Sequence, residues 1–161
     1  MLLAGFGSAN ITAATGTPLG GYWGRDPSAG CSGVHDPLFA RVLTLNKLHS
    51  AAATTTTTTN PRPWCCIVSL DLVGLHSSMC DAIKTDIIAA MPGDSTPRLS
   101  SDSIMVCCTH THTGPQTHKS FVGMGHAPEE YFHQVLRAGV VEAFLESMST
   151  MTPATMLHGR T

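Results

Sequence analysis

Hydrophobic and polar positions divide the chain into segments with two different periods. Residues 3–12 alternate roughly and end in Ala9-Asn10-Ile11-Thr12, which predicts a strand. Leu38 to Leu48 is apolar and β-like with Arg41 inside it, and Trp64 to Val73 is dense enough in apolar residues to predict a strand buried on both faces. The period then changes. Met79, Ile83, Ile87 and Met91 recur every fourth residue, giving one stripe of a helix that Ser77 or Ser78 can cap and Pro92-Gly93 ends. An apolar run from Ile104 through Cys108 leads into Thr109-His110-Thr111-His112-Thr113-Gly114-Pro115. A second helix opens at Pro128-Glu129-Glu130, buries Phe132, Val135, Leu136, Val140 and Phe144, and ends near Met148. Pro153 to His158 reads as a last strand. Strand, loop, hairpin, helix, strand, loop, helix, strand implies an α/β (α+β mixed) fold, a mixed sheet with helices packed on it. A closing strand followed by almost nothing suggests a fold interrupted, not finished.

Two stretches fall outside these periods. Thr15 to Pro37 is rich in glycine and proline, with Tyr22 and Trp23 as aromatics able to form a pocket wall. Residues 50–63 hold six consecutive threonines followed by Asn60-Pro61-Arg62-Pro63. Such a segment has little to bury and reads as a low-complexity insertion in the hairpin, without a catalytic role.

Composition narrows the function classes. The 161 residues suit one domain or part of one, long enough to bury a core. Nine Lys/Arg against eleven Asp/Glu leave a net charge of -2, with no basic stripe, so nucleic acid is not an expected partner. No apolar run reaches the roughly 18 residues of a membrane span. Met1 to Gly7 reads as the first strand and shows no signal peptide, and the location stays open. The six cysteines include the adjacent pairs Cys65-Cys66 and Cys107-Cys108 and no C-x-x-C, which favours small buried hydrophobes over a disulfide or four-cysteine zinc framework.

The histidines carry the chemistry, and five of the nine fall between His110 and His133. Side chains alternate faces along a strand, so His110 and His112 point to the same side of the strand end. Imidazoles in that arrangement can supply two zinc ligands, or one ligand and one hydrogen-bond donor to substrate. Thr109, Thr111 and Thr113 can support them through hydroxyls, and Asp71 is a partner carboxylate if its strand is a neighbour. Arg41 reads as a strand-end ion pair, with a substrate anchor as the other option. His35 reads as a loop histidine bonded to backbone. His118, His126 and His133 read as surface or loop residues.

His110-Thr111-His112-Thr113-Gly114-Pro115 resembles the H-T-H-S-G-P signature of the neutral/alkaline non-lysosomal ceramidases, with Thr113 in the serine position. Four further segments resemble that family in the same order: Gly5 to Thr12, Gly16 to Tyr22, Gly33 to Arg41 and Ser69 to Leu75. The resemblance runs along nearly the whole chain except the threonine segment. It implies a zinc-dependent amidohydrolase that cleaves the N-acyl amide of ceramide to sphingosine and fatty acid. It implies His110 as a zinc ligand, His112 as a catalytic group facing the oxyanion or substrate, and His35 as a substrate-binding residue at the pocket edge. The partner would be ceramide or a related N-acyl lipid. The family's other ligands, a second histidine, a glutamate and a tyrosine, do not map onto residues 1–161, so the resemblance implies that the chain is an incomplete, N-terminal portion of a larger catalytic domain. Two alternatives stand: a non-catalytic relative or interaction module lacking the full metal site, and an unrelated H-x-H metalloenzyme. Thr113-Gly114-Pro115 weakens the second, because an aspartate and histidine do not follow the pair.

Overall fold

The computed structural model describes residues 1–26, 28–48, 64–93, 99–117 and 126–159. The threonine-rich segment and His118 lie outside the described residues. Five strands form one mixed sheet in the order β4-β3-β2-β1-β5. They are β1 (Leu2–Asn10), β2 (Phe39–Lys47), β3 (Trp64–Leu70), β4 (Ile104–Cys108) and β5 (Thr152–Ala154). β1, β2 and β3 pair antiparallel in succession, β5 adds antiparallel to β1, and β4 adds parallel to β3. Helix α1 (Ser77–Ala90) is the crossover that a parallel β3–β4 pair requires. Helix α2 (Ala138–Ser149) follows π-helical turns over Tyr131–Arg137.

Burial alternates along the strands, so one face of the sheet forms the core. Ala40, Val42, Thr44, Cys66, Val68 and Leu70 are buried, and Ile83, Ile87, Leu136, Val140 and Phe144 of the helices complete the same cluster. The predicted stripe of α1 is therefore its core face. α2 lies so close to β1 that a side chain at Gly5 would run into the carbonyl oxygen of Ser147, and one at Gly7 into that of Ala143. Thr44 of β2 and Ser147 of α2 place hydroxyls 2.6 Å apart, which satisfies two buried polar groups at once. The opposite face carries the in-register row Phe6, Leu43, Ile67 and Met105, of which Phe6 and Met105 are each 54% exposed.

Several boundaries differ from the sequence expectation, each for a local reason. β3 stops at Leu70 and is buried on one face only, leaving Cys65 exposed. The cap of α1 is His76, whose Nδ1 accepts the Ser78 N–H, rather than a serine. β5 is confined to Thr152–Ala154, because only these residues find partners on β1. All six cysteines are free, but only Cys66 is fully buried; Cys65 and Cys107 are exposed.

Candidate functional site

The histidine turn begins where β4 ends. Cys108 is the last residue of that strand, so strand alternation does not place the imidazoles. The pairing with the β3 side nevertheless continues, as Thr109 N–H donates to Leu70 O at 2.9 Å and His110 N–H to Leu72 O at 3.0 Å. His110 then adopts φ 65°, in the left-handed region, the only described residue other than glycine to do so. That conformation costs a side-chain-bearing residue and is the kind of backbone strain found at functional sites. It turns the chain sharply and brings the two rings together, with centroids 4.9 Å apart and planes at 61°. Beyond it, Thr113 N–H donates to the Thr111 hydroxyl at 3.3 Å and the two hydroxyls lie 3.0 Å apart, closing the turn on itself.

The glycine-rich loop packs against this turn. Gly20 N–H donates to Gly114 O at 3.0 Å, Gln116 N–H donates to Pro18 O at 2.9 Å, and Leu19 bridges to Pro115. Gly21 has φ 96°, and a Cβ there would stand 2.5 Å from Cγ of His112. Tyr22 meets the His112 ring edge-on at 5.0 Å. The guanidinium of Arg25 lies 4.8 Å from the centre of the Tyr22 ring, and its Nη1 donates to the carbonyls of Gly20 and His112. Tyr22, expected with Trp23 to form a pocket wall, packs on the His112 ring and does not line the cavity beside the turn; Arg25 was not legible, because one arginine in a Gly/Pro-rich loop belongs to no period or motif.

Asp71 braces the turn from below. Its Oδ2 accepts from Phe39 N–H at 3.0 Å and from Arg41 Nη1 at 2.8 Å, while Oδ1 accepts the Thr109 hydroxyl at 3.3 Å. The carboxylate thus ties together the ends of β2, β3 and β4. Arg41 is the strand-end ion pair anticipated from sequence.

Beside the turn lies a cavity of about 540 Å³. Ala13, Leu19, Val34, Leu38 and Pro115 give it apolar walls, and Thr111, Thr113, Asp71, His35 and Asp36 give it polar ones. His110 and His112 are not part of its lining. His35 therefore borders the threonine side of the turn. Its side chain is 97% exposed and its Nδ1 lies 2.7 Å from Asp36 Oδ2, so it bonds a carboxylate and not the backbone. That hydrogen bond, then the carboxylate charge, pushes the His35 pKa up. A larger depression of about 660 Å³ sits over the helices, but its main polar groups satisfy one another. Arg137 grips Asp86 through two bonds of 2.6 and 2.7 Å and lies 3.2 Å from His133. His126 and His133 are exposed, as expected.

Among the described residues, no group of three or more His, Cys, Asp or Glu is placed to hold a metal ion. The residues present fit part of a zinc centre only: His110 and His112 offer one or two imidazole nitrogens, and Asp71 is already engaged with Arg41.

No protein-family model matches the chain, and no curated protein matches it in sequence. Solved structures do match in fold. A neutral ceramidase from Pseudomonas aeruginosa superposes with a TM-score of 0.68 at 22% identity, over 94% of this chain and 22% of that one. A ceramidase complexed with C2 gives 0.67 at 21% identity, again over 94% and 22%. The described architecture is thus the α+β fold of one part of those much longer chains.

Proposed function

We propose that this chain is the portion of a ceramidase-type amidohydrolase that brings the histidine turn to the active site. The observation that carries the reading is the pair His110 and His112, with rings 4.9 Å apart on a strained turn at the sheet's edge. The fold shared with two ceramidase structures over 94% of the chain supports it. His110 supplies one ligand to a zinc ion whose other ligands are not among the described residues. Such an ion, when bound, polarises the amide and lowers the pKa of water. His112 directs a ring N–H at the oxygen that gains charge when the amide is attacked, a role worth roughly 3–4 kcal/mol for a pre-placed donor. His35, held by Asp36 at the cavity rim, binds the polar end of an N-acyl lipid whose hydrocarbon meets Leu19, Val34 and Leu38. No described helix is long and apolar enough to cross a membrane.

A second reading is a non-catalytic interaction module that binds a lipid against the apolar walls of the cavity, Ala13, Leu19, Val34, Leu38 and Pro115, without chemistry. One experiment separates the two. The natural protein carrying this sequence is incubated with a short-acyl ceramide, and free fatty acid and sphingosine are quantified by mass spectrometry. The amidohydrolase reading expects release that chelation abolishes and zinc restores. No release by the zinc-loaded protein overturns it in favour of the binding module.

A further inference from the structure

We infer that Arg25 is a positioning residue for His112, acting with Tyr22 through the glycine loop; the proposal rests on the reading that His112 faces substrate. Three contacts converge on one residue, His112. Arg25 Nη1 donates to His112 O at 2.8 Å and also to Gly20 O, so one charged group crosslinks the turn to the loop. Charge-assisted bonds of this kind are shorter and stronger than neutral ones, and the planar guanidinium gives them a fixed direction. The same guanidinium stacks 4.8 Å from the Tyr22 ring centre, and Tyr22 in turn presents its ring to the edge of His112 at 5.0 Å. Gly21 closes the arrangement by leaving the space that the His112 ring occupies. Arg25 therefore fixes both ends of the residue: its carbonyl directly, and its imidazole by way of Tyr22. A site needs its working group held to within about 0.5 Å, and the turn's own bonds between Thr111 and Thr113 do not touch the His112 ring.

The test uses the natural protein with its histidines labelled with carbon-13. In Arg25→Met the cross-peaks between the His112 and Tyr22 rings disappear and the ring order parameter of His112 falls, while Arg25→Lys restores part of both. Tyr22→Leu lowers the same order parameter; at 54% exposure Tyr22 is not a core residue, so this variant stays folded if Arg25→Met does not. Hydrolysis by Arg25→Met drops in kcat by about ten- to a hundredfold with KM and zinc content unchanged, the signature of a misplaced reacting group. An unchanged His112 ring in both Arg25→Met and Tyr22→Leu overturns the proposal. The ring measurement needs neither metal nor substrate, so a protein that hydrolyses nothing refutes the amidohydrolase reading while still deciding the role of Arg25.

Discussion

Gly21→Ala measures how tightly the glycine loop is fitted to the histidine turn, and Gly24→Ala supplies its control. Both glycines have positive φ, 96° and 81°. An L-residue in that region loses about 1–2 kcal/mol, offset by about 0.4–1 kcal/mol because alanine has fewer unfolded conformations to give up. Gly24 has nothing within 4 Å of an added Cβ, so its variant pays only this net cost, about 1 kcal/mol. At Gly21 the same Cβ falls 2.5 Å from His112 Cγ, 2.7 Å from its Cβ and 2.9 Å from its Cα. Two of those atoms belong to the turn's backbone or its root, so no simple side-chain rotation relieves the overlap. Overpacking of this kind adds about 1–3 kcal/mol, which puts Gly21→Ala at about 2–4 kcal/mol in total. Urea unfolding followed by fluorescence gives both values from the midpoints at constant slope. A Gly21→Ala cost no larger than that of Gly24→Ala refutes the close fit between the loop and His112.

Asp71→Ala removes the acceptor of three donors, Phe39 N–H, Arg41 and the Thr109 hydroxyl, and leaves Phe39 N–H without that partner. With Arg41 42% exposed the ion pair adds little, and the expected loss is about 2 kcal/mol by the same unfolding assay; a loss below about 0.5 kcal/mol contradicts the bracing role. Brief alkylation at pH 8, read by peptide mass spectrometry, labels exposed Cys65 and Cys107 and spares Cys66 and Cys108, whose thiols burial pushes up to about 12 and about 11. Equal labelling of Cys65 and Cys66 contradicts the one-sided burial of β3. His35 titrates above its ordinary 6.5 in an NMR pH series, and Asp36→Asn brings it back down. Because the folded value is raised, the pair's contribution to stability is complete below pH 6.5 and fades as pH rises through the elevated midpoint; full solvent exposure keeps it small.

The fold was legible where the sequence has a period. Met79, Ile83, Ile87 and Met91 marked the core face of α1, and the apolar runs marked β1 to β4 in order. The antiparallel β2–β3 pair and the helical crossover from β3 to β4 agree with the order read from the sequence. The sequence does not carry information about which side chain wins a local competition. His76 caps α1 because its ring nitrogen reaches the Ser78 N–H first, although two serines follow it. The π-helical turns at Tyr131–Arg137 have no signature in a run that is simply amphipathic. At the site, sequence singled out His110 and His112 by an argument from strand geometry. The rings do meet, but through the left-handed turn at His110 after the strand has ended. Arg25 escaped notice because its two acceptors are backbone carbonyls, which every residue possesses and no motif records.

The central claim assigns different duties to neighbouring histidines, and zinc content against turnover separates them. In the natural protein, His110→Ala should lose both bound zinc, measured by plasma mass spectrometry, and ceramide hydrolysis. His112→Ala should keep the wild-type zinc content while kcat falls by about a hundredfold or more. If His110→Ala retains full zinc and full activity, the ligand role of the turn is contradicted.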